Sequence, residues 1–159
     1  MRGEDLPLKY RLLLKAYPWR RTQPVPRAEL RRPLSRASVG LVTTAGLVPP
    51  GAEPFDLGRR GGDPTFRVLS AETPPRALTV YHRSDSFDRE ALAEDSNVVY
   101  PTDVLARFAA EGRIGRLAPR HLSFMGSITA PLRLIREEAP RAVEVFTNDQ
   151  VDVALLVPV

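Results

Sequence analysis

Two histidines, a few aspartates and a Ser-Phe-Met-Gly turn hold most of the side chains in this sequence that could do chemistry. In chain order they are Thr43 and Thr44 after an apolar run, His82 with Asp85 and Asp88, Asp95 with Asn97, and His121 with Ser123 ahead of Gly126. His82, Asp85 or Asp88, and His121 have the residue types of a two-histidine, one-carboxylate metal set, as a metallohydrolase would use. No HExxH or comparable spacing accompanies them. A Ser-His-Asp hydrolase has less support, because no GxSxG elbow is present. Each residue also has a structural reading. A loop histidine is ordinarily a hydrogen-bonded group, the aspartates flanking "DREALAEDSN" suit helix caps, and "SFMG" suits core packing closed by a glycine turn.

The elements that must position these groups follow from periodicity. Tyr10, Leu13, Leu14 and Tyr17 recur at helical spacing, so residues 7–16 are predicted to form a short amphipathic helix ended by Pro18. A connector through Pro24, Pro26 and Pro33 should be extended and lie on the surface. "ASVGLVTTAG" predicts a core strand with a polar, glycine-containing mouth. A phosphate-binding turn there is excluded, because Pro49, Pro50 and Gly51 forbid an immediate helix start. "FRVLS" and "RALTVYHRSD" predict further strands, the second delivering His82 at its carboxyl end. "PTDVLARFAAEG" predicts a helix capped by Thr102 and stopped by Gly112. "IGRLAPRHLSFMG" predicts a connector and short strand ending at Gly126. An apolar stripe from Leu132 to Phe146 predicts a helix that Pro140 kinks or breaks. The closing run "VDVALLVPV" has the composition of a central parallel strand buried on both faces. Strands alternating with helices imply an α/β fold with a mainly parallel sheet, here expected to be three-layered, and the loops after its strands should converge at one edge.

Composition bounds the partners and the compartment. A chain of 159 residues suffices for one domain with a sizeable core. We divide it into an N-terminal helix and basic Pro-rich arm, 1–36, and an α/β domain, 37–159. The formal charge of +4 is concentrated in residues 9–36, which suits a solvated arm or one that docks on a partner subunit. Tyr17 and Trp19 beside Arg20 and Arg21 could stack on RNA, but no RNA-binding motif accompanies them, so nucleic acid is disfavoured. No run has the roughly 18 to 20 apolar residues of a membrane span and no signal-peptide core is present, so no membrane is expected and the cytoplasm is the default. The absence of cysteine rules out disulfides, thiolate metal sites and a cysteine nucleophile within these residues.

Taken in order, "LKAYPWRR", "VGLVTTAGL", "PFDLG", "FRVL", "EDSNVVYPTDVLARFAAEGRIG", "LAPRHLSFMG" and "VDVALLVPV" resemble the selenoprotein B family of glycine, sarcosine, betaine and D-proline reductases. The sharpest blocks are D-x-N-x-V-[FY]-P at Asp95–Pro101 and R-H-x-S-F-M-G at Arg120–Gly126. The insertion "GRRGGDP" near residues 58–64 departs from the pattern and is taken as a surface-loop difference. The resemblance implies a selenocysteine or cysteine immediately after Val159, opening a helix whose N-terminal dipole favours the selenolate or thiolate. It implies reductive cleavage of a carbon-nitrogen bond, with a dithiol or thioredoxin-like electron donor, a small amine or amino-acid substrate, and other reductase subunits or a homo-oligomer as partners. On this reading the sheet would be incomplete at its C-terminal side, the chain having been cut at a recoded UGA codon. His82 and His121 are then the candidate catalytic groups, Asp88, Asp95, Asn97 and Gly126 the candidate substrate-binding residues, and no metal is required. The alternatives are a noncatalytic binding or assembly module, or a metallohydrolase using His82 and His121.

Overall fold

The computed structural model describes residues 7–17, 23–84 and 87–159. Trp19, Arg20, Arg21 and Asp85 therefore lie outside the described residues. Helix α1, Leu8–Ala16, forms where the apolar spacing predicts it, yet buries none of its residues. The connector that follows is exposed from 23 to 36.

The sheet is organised around β1, Ser38–Thr43. Along one side runs β7, Val153–Val157, parallel from Val39↔Val153 to Thr43↔Val157. Along the other run β5, Arg116–Leu117, and then β6, Arg120–Phe124, both parallel to β1. Outside β6 lies β3, Phe66–Ser70, antiparallel to it. The architecture is α/β with a mainly parallel sheet. The predicted strand around "RALTVYHRSD" is shorter than expected: β4 is Thr79–Val80 and pairs with β2, Leu47–Val48, in a separate antiparallel ribbon.

The pairing of β1 with β5 and β6 is out of step. Between Val39 and Val42, β1 advances three residues while its partner advances five, from Leu117 to Leu122. The surplus is a bulge at Ala118 and Pro119, a position where proline's missing N–H leaves no gap in the ladder. The Pro119 carbonyl instead accepts the Ala71 N–H at 2.9 Å.

Alternation along β1 sends Val39 and Leu41 into a core with Leu69, Val99, Tyr100, Leu105 and Ile114. Leu105 comes from α3, Thr102–Ala110. Pro101, not Thr102, stands at the N-cap of α3, and no side chain caps it. Thr102 is already helical, and its hydroxyl turns back to the Tyr100 carbonyl at 3.5 Å. Gly112 stops α3 as predicted, with φ +70°. Gly40 points the other way, where an added Cβ would lie 2.9 Å from the Phe146 ring. Phe146 belongs to α4, Ala139–Asn148, which continues from a π-helical turn at Leu134–Glu138. Pro140 sits in the first turn of α4, so the wider turn absorbs its missing hydrogen bond and the helix does not break. Before α3 in sequence lies α2, Arg89–Glu94.

Two expectations need correction. β7 is an edge strand among the described residues, pairing with β1 alone, and its Leu155 and Leu156 are exposed, so it is not buried on both faces. Its apolar composition matches a central strand, but composition does not report how many neighbours a strand has. The insertion near 58–64 is also more than a surface difference. An added Cβ would meet Ala130 at 2.6 Å from Gly61 and Ile128 at 2.9 Å from Gly62, and the Gly61 carbonyl accepts the N–H groups of Thr129 and Ala130. Among the described residues no helix is long and apolar enough to cross a membrane.

Asp63 anchors that loop. Its carboxylate is buried and accepts the Asp56 N–H at 3.0 Å, the Thr65 N–H at 3.0 Å and the Thr65 hydroxyl at 2.8 Å. Burial alone would raise its pKa, but the hydrogen bonds from Asp56 and Thr65 and the nearby Arg67 hold it below its ordinary 3.8. The folded state thus binds this proton less readily than the unfolded chain. The resulting stabilisation is present above pH 3.8 and is lost as pH falls through the lower folded value. Replacing Asp63 with Ala removes the acceptor of three part-buried hydrogen bonds and should cost about 1–3 kcal/mol. Chemical denaturation of the two proteins should show that gap at pH 7 and a narrower one at pH 3.

Candidate active site

The carboxyl ends of β1, β6 and β7 meet at one mouth. Past β1, the Thr44 N–H donates to the Val157 carbonyl at 3.1 Å, and the Val159 N–H donates to Thr44 Oγ1 at 2.8 Å. The Gly46 N–H donates to Phe124 at the end of β6, and the Gly46 carbonyl accepts from Tyr81, both at 2.8 Å. That last pair draws the chain carrying His82 onto the sheet edge. Gly126 completes the mouth with φ +75°, and a Cβ there would lie 2.9 Å from the Thr44 carbonyl oxygen and 3.1 Å from His82 Nε2. The backbone approach needs glycine on both counts.

His82 is buried and stacked on Phe87, with ring centroids 4.5 Å apart. Its Nδ1 accepts the Ser84 N–H at 3.1 Å, which places the proton of the neutral ring on Nε2. Nε2 has no hydrogen-bond partner among the described residues and lies against Gly126. Burial lowers the His82 pKa, against the Ser84 hydrogen bond, which raises it, and with the charge of Arg89, which lowers it further. The mouth therefore holds one neutral N–H donor against backbone at the sheet edge. An apolar cavity of about 310 Å³ opens beside it, lined by Thr44, Phe124, Gly126, Ile128 and Leu134. Asp88 shares an open cleft of about 430 Å³ with His82, and its carboxylate caps α2 by accepting the Ala91 N–H at 2.9 Å.

The other candidates are placed elsewhere. Asp95 accepts the Asn97 N–H at 2.8 Å and Asn97 Nδ2 at 2.9 Å, and these two bonds lower its pKa. Asn97 Nδ2 also reaches Asp103 Oδ2 at 3.3 Å, at the start of α3. The Asp95–Pro101 block is thus a closed turn that sends Val99 and Tyr100 into the core. There the Tyr100 ring stands edge-on to His121, centroids 5.7 Å apart. His121 is fully buried, and its Nδ1 accepts the Leu41 N–H at 3.1 Å across the β5–β6 bulge. Burial lowers its pKa to about 4 against the opposing charge of Asp149. The adjacent Arg120 clasps Asp149 at the end of α4, with contacts of 2.6 and 2.9 Å. Of the predicted site residues, the structure brings His82, Gly126 and Asp88 together, while Asp95, Asn97 and His121 build the frame. Phe87, which sets the His82 ring, carried no sequence signal; its spacing from His82 matches neither strand nor helix. No group of three or more histidines, cysteines or acids that could hold a metal occurs among the described residues.

Of the two most distinctive sequence blocks, Arg120–Gly126 runs along β6 to the mouth and Asp95–Pro101 builds the turn before α3. The family described as glycine/sarcosine/betaine reductase selenoprotein B matches residues 14–158. The chain belongs to this family. D-proline reductase subunit gamma of Acetoanaerobium sticklandii is 30% identical to it over 123 residues, which cover 77% of this chain and 49% of that subunit. The chain thus spans about half the length of the curated relative it matches. No solved structure matches it. Within this chain, the R-H-x-S-F-M-G block divides its labour: Arg120 and His121 hold the sheet, and Gly126 shapes the mouth.

The neutral state of His121 is directly observable. Nitrogen-15 NMR should show the Nε2–H tautomer and a titration midpoint near 4 rather than at the ordinary 6.5. Because the folded pKa is depressed, its contribution to stability is present above pH 6.5 and falls away as pH drops toward the folded value. His121→Phe leaves the buried Leu41 N–H without an acceptor and should cost about 1–3 kcal/mol in denaturant melts.

Proposed function

We propose that this chain is the part of a reductase subunit that builds the substrate side of a selenium- or thiol-dependent centre. The reaction is reductive cleavage of a carbon-nitrogen bond in a small amine or amino acid, with a dithiol as electron donor, in the cytoplasm. The observation that carries this reading is the run of contacts from His82 to Gly126 to Thr44, whose hydroxyl holds Val159, at the carboxyl ends of three parallel strands, the position where α/β sheets place their ligands. A selenocysteine or cysteine following Val159 would stand against this mouth, held by the Thr44 hydroxyl and the exposed strand end.

A selenolate or thiolate supplies a soft nucleophile for carbon. The residues of this chain orient and protonate. His82, neutral and carrying its proton on Nε2, is suited to give a hydrogen bond or proton to the departing nitrogen. The apolar cavity beside Gly126 would exclude water from the carbon skeleton, and Asp88 would favour a cationic amine at the rim. In balance, one carbon-nitrogen bond is replaced by carbon-hydrogen and nitrogen-hydrogen bonds while two thiols become a disulfide. Helix α1, which buries none of its residues, supports residues 1–36 as an arm that docks on other reductase subunits or a second copy. The printed name of the relative, a subunit of D-proline reductase, supports a multi-subunit assembly.

The test uses the native subunit with the proteins that co-purify with it. Glycine, sarcosine, betaine and D-proline are each offered with a dithiol, and dithiol oxidation is followed. At least one substrate should drive oxidation, and His82→Gln should lower kcat/KM by about a hundredfold or more. Failure of all four substrates, or an unimpaired His82 variant, contradicts the proposal.

A further inference from the structure

At the opposite, amino-terminal end of β1 lies a second cavity, of about 620 Å³, within the range of sites for small metabolites. Arg31, Arg32, Arg36 and Arg116 reach its walls from three separate segments: the arm, the turn before β1, and β5. The acids there are Glu29 and Asp152. Asp152 is already engaged: it accepts the Ser38 N–H at 2.9 Å and pairs with Arg32 at 3.2 Å. Arg116 donates to the Asp149 carbonyl at 3.2 Å, and the Asp149 carboxylate is taken by Arg120. The guanidiniums of Arg31 and Arg36 have no hydrogen-bond or ion-pair partner among the described residues. Charge in the cavity is therefore unbalanced toward positive, with two guanidiniums free.

The second observation is Ser38. Ser38 lines this cavity, is only 3% exposed, and its hydroxyl has no partner among the described residues. A buried hydroxyl left unpaired is costly, and serine brings no apolar packing in return. Alanine would fit the strand as well. The residue makes sense as a donor to something that enters the cavity.

We propose that this cavity binds a phosphate group, free or carried on a small metabolite. Guanidiniums bind phosphate through paired N–H bonds, and a dianion with three or four acceptor oxygens uses several arginines and a hydroxyl at once, which a single carboxylate cannot. The Arg32–Asp152 pair ties the arm to the turn before β7, so the arm would form one wall of the site. This site lies at the other end of β1 from the Thr44 mouth and does not depend on the reductase reading.

Isothermal titration of the purified protein with inorganic phosphate tests it, against acetate and against chloride at matched ionic strength. One saturable phosphate site is expected, weakened at least tenfold in Arg31→Gln/Arg36→Gln and also in Ser38→Ala. Ser38→Ala removes an unpartnered hydroxyl, so its melting temperature should not fall, which separates loss of a ligand contact from loss of fold. A phosphorylated metabolite competing more tightly than free phosphate would place the group on a larger ligand; equal or weaker competition would favour the free ion. Absence of saturable phosphate binding beyond the chloride control, equal binding of acetate, or affinity unchanged in both variants would overturn the proposal.

Discussion

The hydrogen bond from the Leu41 N–H to His121 Nδ1 is the interaction on which the sheet's other arrangements rest. The bulge at Ala118 and Pro119 takes β6 out of step with β1, leaving a backbone donor of the central strand facing no carbonyl. An imidazole fills the gap. It must be neutral to do so, since a protonated ring has no acceptor, and full burial enforces that state. Around it the packing is specified in turn: Tyr100 covers the ring edge, the Asp95–Asn97 turn presents Tyr100, and Arg120 fastens the start of β6 to α4 through Asp149.

The offset created at the bulge carries through to the mouth. Because β6 pairs with β1 again at Val42 and Thr43, its end comes level with the turn after β1. Phe124 can then accept the Gly46 N–H, and Gly126 can cross directly over Thr44. His82 arrives from a different unit, the β2–β4 ribbon, and is drawn in by the Tyr81–Gly46 bond. Two histidines that look alike in sequence thus serve opposite ends of the same design. Both rings leave Nε2 without a partner among the described residues; one completes the ladder inside the core, while the other lies against Gly126 at the strand ends.

The parts of this fold that were legible in the sequence are those fixed by local chemistry. Apolar runs bounded by Gly and Pro gave β1, β3 and β6, and helical spacing gave α1 and α3. The caps and stops at Asp88 and Gly112 followed from residue type. What was not legible depends on neighbours distant in sequence. Nothing local shows that β7 pairs with β1 alone among the described residues, that Asp63 anchors a Gly-Arg-rich loop, or that two glycines of that loop dock on residues 128–130. The division between His82 and His121 was equally hidden, because it is set by a two-residue surplus in strand pairing. The two motif blocks pointed to the right family, yet most of their residues serve the frame.

The proposed function puts a redox residue next to Val159, beside the mouth formed by Thr44, Gly126 and His82. Peptide mass spectrometry of the native protein across Val159 tests it most directly. The account predicts a peptide that continues past Val159 into selenocysteine or cysteine. A native carboxyl terminus at Val159, or a following residue with neither selenium nor sulfur, would contradict it.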